Sequence, residues 1–264
     1  MYPLTMAARS IWNGVVSFGM VSIPVHMYPA TSSKDIAFNE LHSVCKSRLK
    51  RVRTCPVCQR EVTGDEVVKG YEYAKGHYVE MGDDDFAAVP VPSKHTIEVA
   101  RFVKAEEIDP VYYDSAYVLE PDDLGKKPFA LFMHALETKG MTAIAHITIR
   151  KREQLCALRS HGGNLMMETL YYADELRVDL AKEAPDIVLS EPEQRMAEAL
   201  VDLLTGEFDA KEYKDVYREA LMEVIGAKLE GKEVVAAPEA PTQVMDLMEA
   251  LRASVEAAKA RKVS

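Results

Sequence analysis

Through the first two-thirds of the chain, runs of β-branched and aromatic residues are cut by glycine or proline before a helix could complete its turns. Residues 11–28 show the pattern. Val15, Val16, Phe18, Val21, Ile23 and Val25 alternate with Gly14, Gly19 and Pro24, which predicts two short strands or one broken strand. Residues 67–80, 96–103, 111–119, 142–149 and 155–159 are further strand candidates, punctuated by Pro90, Pro92, Gly125 and Gly162-Gly163. Many short strands at this spacing fold as a barrel or a sandwich. One helix interrupts them, over 129–139, with Leu131, Phe132, Ala135 and Leu136 on one face and a stop at Gly140.

Beyond residue 190 the period becomes helical. Ser190 and Glu193 have capping-box spacing ahead of Met196, Leu200, Leu203 and Leu204. Asp209 and Glu212 repeat the device ahead of a second apolar stripe from Tyr213 to Ile225. A Pro/Ala-rich linker over 236–241 leads to a last amphipathic helix, at about 242–260, with Val244, Met245, Met248, Leu251 and Val255 on its face. The expected class is α+β, mainly β: a core over 9–190 and a helical region over 191–264.

At 264 residues the chain can bury a sizeable core, and 48% apolar with 28% charged residues is ordinary for a globular protein. No run of 18 apolar residues occurs, and the first residues lack the basic-then-apolar layout of a secretion signal. A cytosolic protein with no membrane partner is expected, in which the four cysteines are thiols or metal ligands. The net charge of −10 is unevenly placed. Residues 1–60 carry eight basic against two acidic residues, and 139–161 carry five against one, whereas 174–256 carry nine against twenty-one. Polyanion binding depends on the local field, so two basic islands on an acidic chain can hold phosphate or can be solvated surface.

The sharpest local motif is His42-x2-Cys45-x9-Cys55-x2-Cys58. A two-residue gap lets both donors of a tight turn face one ion, and two such pairs complete a closed, structural Zn²⁺ site. Cys156 lies in a strand-like apolar run and is expected in the core. Lys46, Arg48, Lys50, Arg51, Arg53 and Arg60 interleave with the motif. They suit an extended ribbon with a basic edge that contacts phosphates without reading bases. The second island is Arg150-Lys151-Arg152, at a turn between two strand candidates, with Lys139 and Arg159 near it in sequence.

Nothing points to catalysis. Asp83-Asp84-Asp85 could hold Mg²⁺ in a nuclease, but acids directly ahead of an apolar run more often open a helix. No HExxH, GxSxG, Walker A or GxGxxG motif occurs.

The run Arg9-Ser10-Ile11-Trp12-Asn13-Gly14-Val15-Val16-Ser17-Phe18-Gly19-Met20-Val21-Ser22-Ile23-Pro24-Val25 closely resembles the opening of bacterial Ku proteins. The likeness continues through Leu41-His42, Gly70-Tyr71-Glu72-Tyr73, Asp109-Pro110-Val111-Tyr112-Tyr113, Lys139-Gly140-Met141-Thr142, Arg150-Lys151-Arg152-Glu153 and Leu170-Tyr171-Tyr172-Ala173-Asp174-Glu175. The resemblance implies a β-barrel with a bridge arm, here about 42–70, and a homodimer whose arms close a ring. It also implies sequence-independent binding of double-stranded DNA ends and partnership with the ATP-dependent ligase of bacterial non-homologous end joining. The location implied is the bacterial cytoplasm, at the nucleoid. Family pattern and charge meet at Arg48, Lys50, Arg51, Arg53, Arg150, Lys151 and Arg152, with Lys139 beside them; these are the expected DNA contacts. His42, Cys45, Cys55 and Cys58 are the expected zinc ligands. Many members carry a long lysine-rich tail where this sequence has Lys259, Arg261 and Lys262. Two readings from other classes stand beside this one: a zinc-ribbon module that binds only protein, and a Mg²⁺-dependent nuclease using Asp83–Asp85.

Overall fold

The computed structural model describes residues 9–89, 95–149, 152–177, 187–231 and 246–263. The chain divides into two compact units, Met1–Lys34 with Phe38–Ala181, and Asp35–Ala37 with Lys182–Ser264. The strands are β1 Trp12–Phe18, β2 Val21–Pro29, β3 Thr54–Cys55, β4 Arg60–Glu61, β5 Lys69–Ala74, β6 His77–Met81, β7 Thr96–Lys104, β8 Tyr113–Pro121, β9 Met141–Ile149, β10 Arg152–His161 and β11 Asn164–Leu170. The helices are α1 Asp83–Ala88, α2 Lys126–Lys139, α3 Glu191–Leu204, α4 Val216–Leu229 and α5 Leu247–Val263.

Seven strands close a barrel in the order β1-β2-β8-β11-β10-β9-β7. Every neighbouring pair is antiparallel except β1 and β7, which meet in parallel at the closing seam. Alternate residues point inward, so Ile23, Val25 and Met27 of β2 face Ala143, Ala145 and Ile147 of β9, Cys156 and Leu158 of β10, and Leu165 and Met167 of β11 across a filled interior. Cys156 is fully buried, as expected, and burial pushes its thiol pKa up. Helix α2 adds Phe129, Phe132 and Leu136 to this core, with the Phe132 ring centroid 4.8 Å from that of Phe18. It ends where Gly140 turns left-handed at φ 61° and its N–H reaches the carbonyls of Leu136 and Glu137.

The seam explains one break in the sequence. Val15 N–H donates to His95 O at 3.1 Å, and a Cβ placed on Gly14 would lie 2.3 Å from the same oxygen. Only glycine lets β7 approach β1 this closely.

The mixed, mainly β class holds, and residues 11–28 form two strands joined at Gly19 and Met20. The sequence pattern does not signal β11. Asn164–Leu170 carries methionines and a glutamate where β-branched residues would mark a strand, and Gly162-Gly163 reads only as a turn. Its residues pair on both sides, with β10 and β8, and tertiary pairing overrides the weak local signal.

In the second unit, Ser190 caps α3: its N–H and its hydroxyl donate to Glu193 Oε2 at 2.7 and 2.6 Å. Helix α3 packs against α5, where Val255 is buried. Asp209 and Glu212 do not open the next helix. The Asp209 carboxylate captures the Lys211 N–H at 2.9 Å and closes a single 3-10 turn. The cap of α4 is Asp215, which accepts from Arg218 N–H at 2.9 Å. Residues 242–245 of the expected last helix lie outside the described residues. Among those described, no helix is long and apolar enough to cross a membrane.

Candidate nucleic-acid interface

Between β2 and β7 the chain leaves the barrel for an insertion unlike the rest of the unit. From Thr31 to Val89 no described residue is buried. Its local order comes from hydrogen-bonded turns, and the two halves of the His/Cys motif make the same turn twice. His42 O accepts from Lys46 N–H at 2.8 Å, and Cys55 O accepts from Gln59 N–H at 2.8 Å. Lys46 and Gln59, each directly after the second donor of its pair, are both left-handed, at φ 58° and 52°. Each turn closes a short antiparallel pairing: Leu41 bridges Arg48, and β3 pairs with β4.

Within each turn the donors converge. His42 Nδ1 lies 3.0 Å from Cys45 Sγ, and Cys58 N–H donates to Cys55 Sγ at 3.5 Å. Hydrogen bonds from Ser47, then from His42, bring the Cys45 pKa down to about 7. The Cys58 backbone N–H chiefly lowers that of Cys55, whose sulfur raises that of Cys58. Each turn thus brings the two side chains of its pair together. The halves are not gathered: among the described residues no three or more His, Cys, Asp or Glu side chains form a metal-holding group.

The expected basic ribbon is present in shortened form. Leu49 N–H donates to Glu40 O at 3.0 Å and Val62 N–H to Arg53 O at 2.8 Å, while residues 50–52 carry no assigned strand. Lys46, Arg48, Lys50, Arg51 and Arg53 are all exposed. Arg51 pairs with Glu40 at 2.8 Å, whereas Arg48, Lys50 and Arg53 meet no carboxylate among the described residues. Arg60 is held by Glu66 at 2.5 Å, and this guanidinium, with the Thr63 N–H, keeps the Glu66 carboxyl at about 2.

Of the second island, Arg150 and Lys151 lie outside the described residues. Arg152 starts β10 and pairs with Glu175, and Lys139 stands exposed in the last turn of α2. No hydrogen bond or ion pair among the described residues joins the two islands. Asp83, Asp84 and Asp85 form the first turn of α1, and Asp85 Oδ2 accepts from Gly82 N–H at 2.8 Å, which is the helix-opening role.

Sequence reasoning missed a polar cluster on the outer wall of the barrel. Glu168, on β11, bonds Arg159 of β10 at 2.6 Å, and the pair lines a cavity with Tyr113 and Ala116 of the neighbouring strand. The available signal was a lone glutamate within an apolar run, nine positions after an arginine and across a Gly-Gly turn.

Comparison with known proteins converges on one family. Residues 17–199 match the family described as the Ku70/Ku80 beta-barrel domain. The chain is similar to the Non-homologous end joining protein Ku of Symbiobacterium thermophilum, with 44% identity over 98% of this chain and 65% of that protein. It is similar to the protein of the same name from Heliobacterium modesticaldum, with 39% identity over 97% of this chain and 95% of that one. The Archaeoglobus fulgidus protein of that name is 38% identical over 95% of this chain and all of its own length. The chain thus spans just under two thirds of the first of these relatives and nearly all of the other two.

Proposed function

The chain belongs to the Ku family of non-homologous end joining proteins, and from that premise we propose that it binds ends of double-stranded DNA without sequence preference, as a scaffold with no chemistry of its own. The carrying observation is the insertion, in which no described residue from Thr31 to Val89 is buried and Arg48, Lys50 and Arg53 stand exposed with no carboxylate partner among the described residues, beside the ion-paired Arg51. Exposed cations on a short ribbon can follow a phosphate backbone, while a filled barrel gives them a fixed root. Arg51 and Arg152 join them at small cost, because exposed ion pairs are worth only about 0.2–1 kcal/mol and a phosphate can replace the carboxylate. Arg150, Lys151 and Lys139 extend the same proposal to the second island.

Ring closure needs a second copy. The β5–β6 hairpin exposes Tyr71, Tyr73, Tyr78 and Val79, and an isolated two-stranded hairpin is marginal in water. A two-fold homodimer is the simplest closed assembly and would cover such a surface. The acidic helical region would then stay off the duplex and receive the ATP-dependent ligase. Zn²⁺ held by His42, Cys45, Cys55 and Cys58 would draw the two matching turns together and stiffen the insertion; the equivalence of the turns supports this reading.

The discriminating experiment compares binding to linear DNA and to covalently closed DNA of the same sequence. A ring loads at ends, so the linear form should be retained and the closed form released, with affinity falling steeply as salt rises. Equal retention of both forms would refute end-loading. Metal analysis of protein purified without added zinc, and light scattering at micromolar concentration, check the ion and the dimer.

A further inference from the structure

Two of the four cysteines share one turn. Cys55 ends β3, and Cys58 follows it across Pro56 and Val57. Main-chain bonds shape this turn: Gln59 N–H donates to Cys55 O at 2.8 Å, and Val62 N–H to Arg53 O at 2.8 Å. Inside it, the Cys58 N–H points at Cys55 Sγ at 3.5 Å, and the two thiols share a hydrogen bond. Cys55 is half-buried and Cys58 exposed, so a small solute can reach both sulfurs. The other two cysteines are placed differently. Cys45 belongs to the first turn, where its sulfur lies 3.0 Å from His42 Nδ1 and 2.9 Å from Ser47 Oγ. Cys156 is fully buried in the barrel. Both turns carry the basic edge: Arg48 closes the first through its bridge to Leu41, and Arg53 opens the second.

We propose that Cys55 and Cys58 are a peroxide-sensitive couple that closes to a disulfide and thereby loosens the insertion. One sulfur takes an oxygen from hydrogen peroxide as a sulfenic acid, the O–O bond breaking and water leaving. The other sulfur displaces that oxygen as a second water. One Sγ–Sγ bond then replaces two S–H bonds, and two electrons and two protons have passed to the peroxide. The bonds that close the turn join main-chain groups, so the sulfurs can link without opening it. Holding both sulfurs in one turn favours this product over a link to another chain. The loosening rests on the reading that His42, Cys45, Cys55 and Cys58 hold one ion. The thiolate is the metal ligand and a disulfide is not, so oxidation leaves only His42 and Cys45 as donors. The turn that carries Arg48 then parts from the turn that carries Arg53. A duplex must order these cations as it binds, and affinity falls.

The test exposes the reduced full chain to stoichiometric hydrogen peroxide, alkylates the remaining thiols in denaturant and weighs the digest. The segment with Cys55 and Cys58 should escape alkylation and be lighter by two hydrogens, with Cys45 and Cys156 alkylated. Protease cleavage within residues 42–62 should quicken roughly threefold or more, and binding to a blunt duplex should weaken by a similar factor. Dithiothreitol followed by zinc should reverse both changes. Cys45→Ser should form the same disulfide with little further change in cleavage, since its turns are already parted. Oxidation of a single sulfur, a link through Cys45 or between chains, or a disulfide that leaves cleavage unchanged would each overturn the proposal. A reduced parent that binds no DNA would instead fault the end-binding reading, while cleavage still decides the couple. A reduced parent without zinc would fault the zinc reading, and with it the loosening.

Discussion

The barrel and the insertion between β2 and β7 share one chain, yet they keep their shape by different means. The barrel is held from within: its strands pair on both sides around an apolar core that α2 extends with two buried phenylalanines. The insertion has turns, a bridge and two short hairpins, and no buried residue from Thr31 to Val89. A segment without a core relies on what binds it, whether an ion, a duplex or a second chain. The contrast separates the scaffold from the surface it carries, and substitutions in the two regions should fail differently.

The largest effect is expected in the barrel. Phe132→Ala removes a ring from the core and should cost about 3–5 kcal/mol in denaturant unfolding. Gly14→Ala, which forces a methyl onto the His95 carbonyl at the seam, should cost about 2–3 kcal/mol by the same measurement. Loss of DNA binding in either variant should track loss of folded protein.

Next comes the insertion. Replacing Arg48, Lys50 and Arg53 together by Ala should leave unfolding within about 0.5 kcal/mol of the parent, because these side chains touch no core. DNA binding should weaken equally on unrelated sequences, and the salt slope should flatten by roughly one for each phosphate that is no longer neutralised. A variant that binds normally would place this edge in solvent; one that unfolds would erase the contrast between the regions.

Cys55→Ser with Cys58→Ser sharpens the comparison. The barrel should unfold as before, while protease cleavage within residues 42–62 should accelerate if an ion joins the two turns. Unchanged cleavage, together with no zinc in the parent, would show that hydrogen bonds alone maintain the turns.

The smallest effect is a pH response confined to the insertion. Glu66 is held at about 2, below its usual 4.5, by Arg60 and Thr63. A depressed carboxyl stabilises the fold above its ordinary value, and that contribution is lost as pH falls through the folded value. Protection of the amides near Thr63, taken relative to their intrinsic exchange rate at each pH, should therefore fall between about pH 4.5 and 2, and Glu66→Gln should remove most of this dependence.

The legibility of the sequence follows the same division. Barrel strands with β-branched residues and turn punctuation, such as β2 and β9, could be read because burial on one face imposes a period. β11 could not, since its place depends on partners on both sides. In the insertion, the spacing of His42, Cys45, Cys55 and Cys58 announced two like turns, and the structure contains them. Spacing within each pair says nothing about the distance between pairs, and the structure leaves these apart. The Glu40 partner of Arg51 and the Glu175 partner of Arg152 were equally invisible, because each joins positions that no local rule connects.

The parallel seam has a consequence for how such a chain can vary. Met27, near the end of β2, pairs with Trp12, and Thr96, at the start of β7, pairs with Val15. The insertion thus departs and returns on either side of the same end of one strand, through a gap of roughly 10–15 Å. Closing a loop over such a gap costs only slightly more as the loop lengthens. The excursion is modular: it could be shortened, exchanged or replaced by a brief linker while the seven strands keep their register, and selection could reshape this exposed surface without redesigning the vessel that carries it.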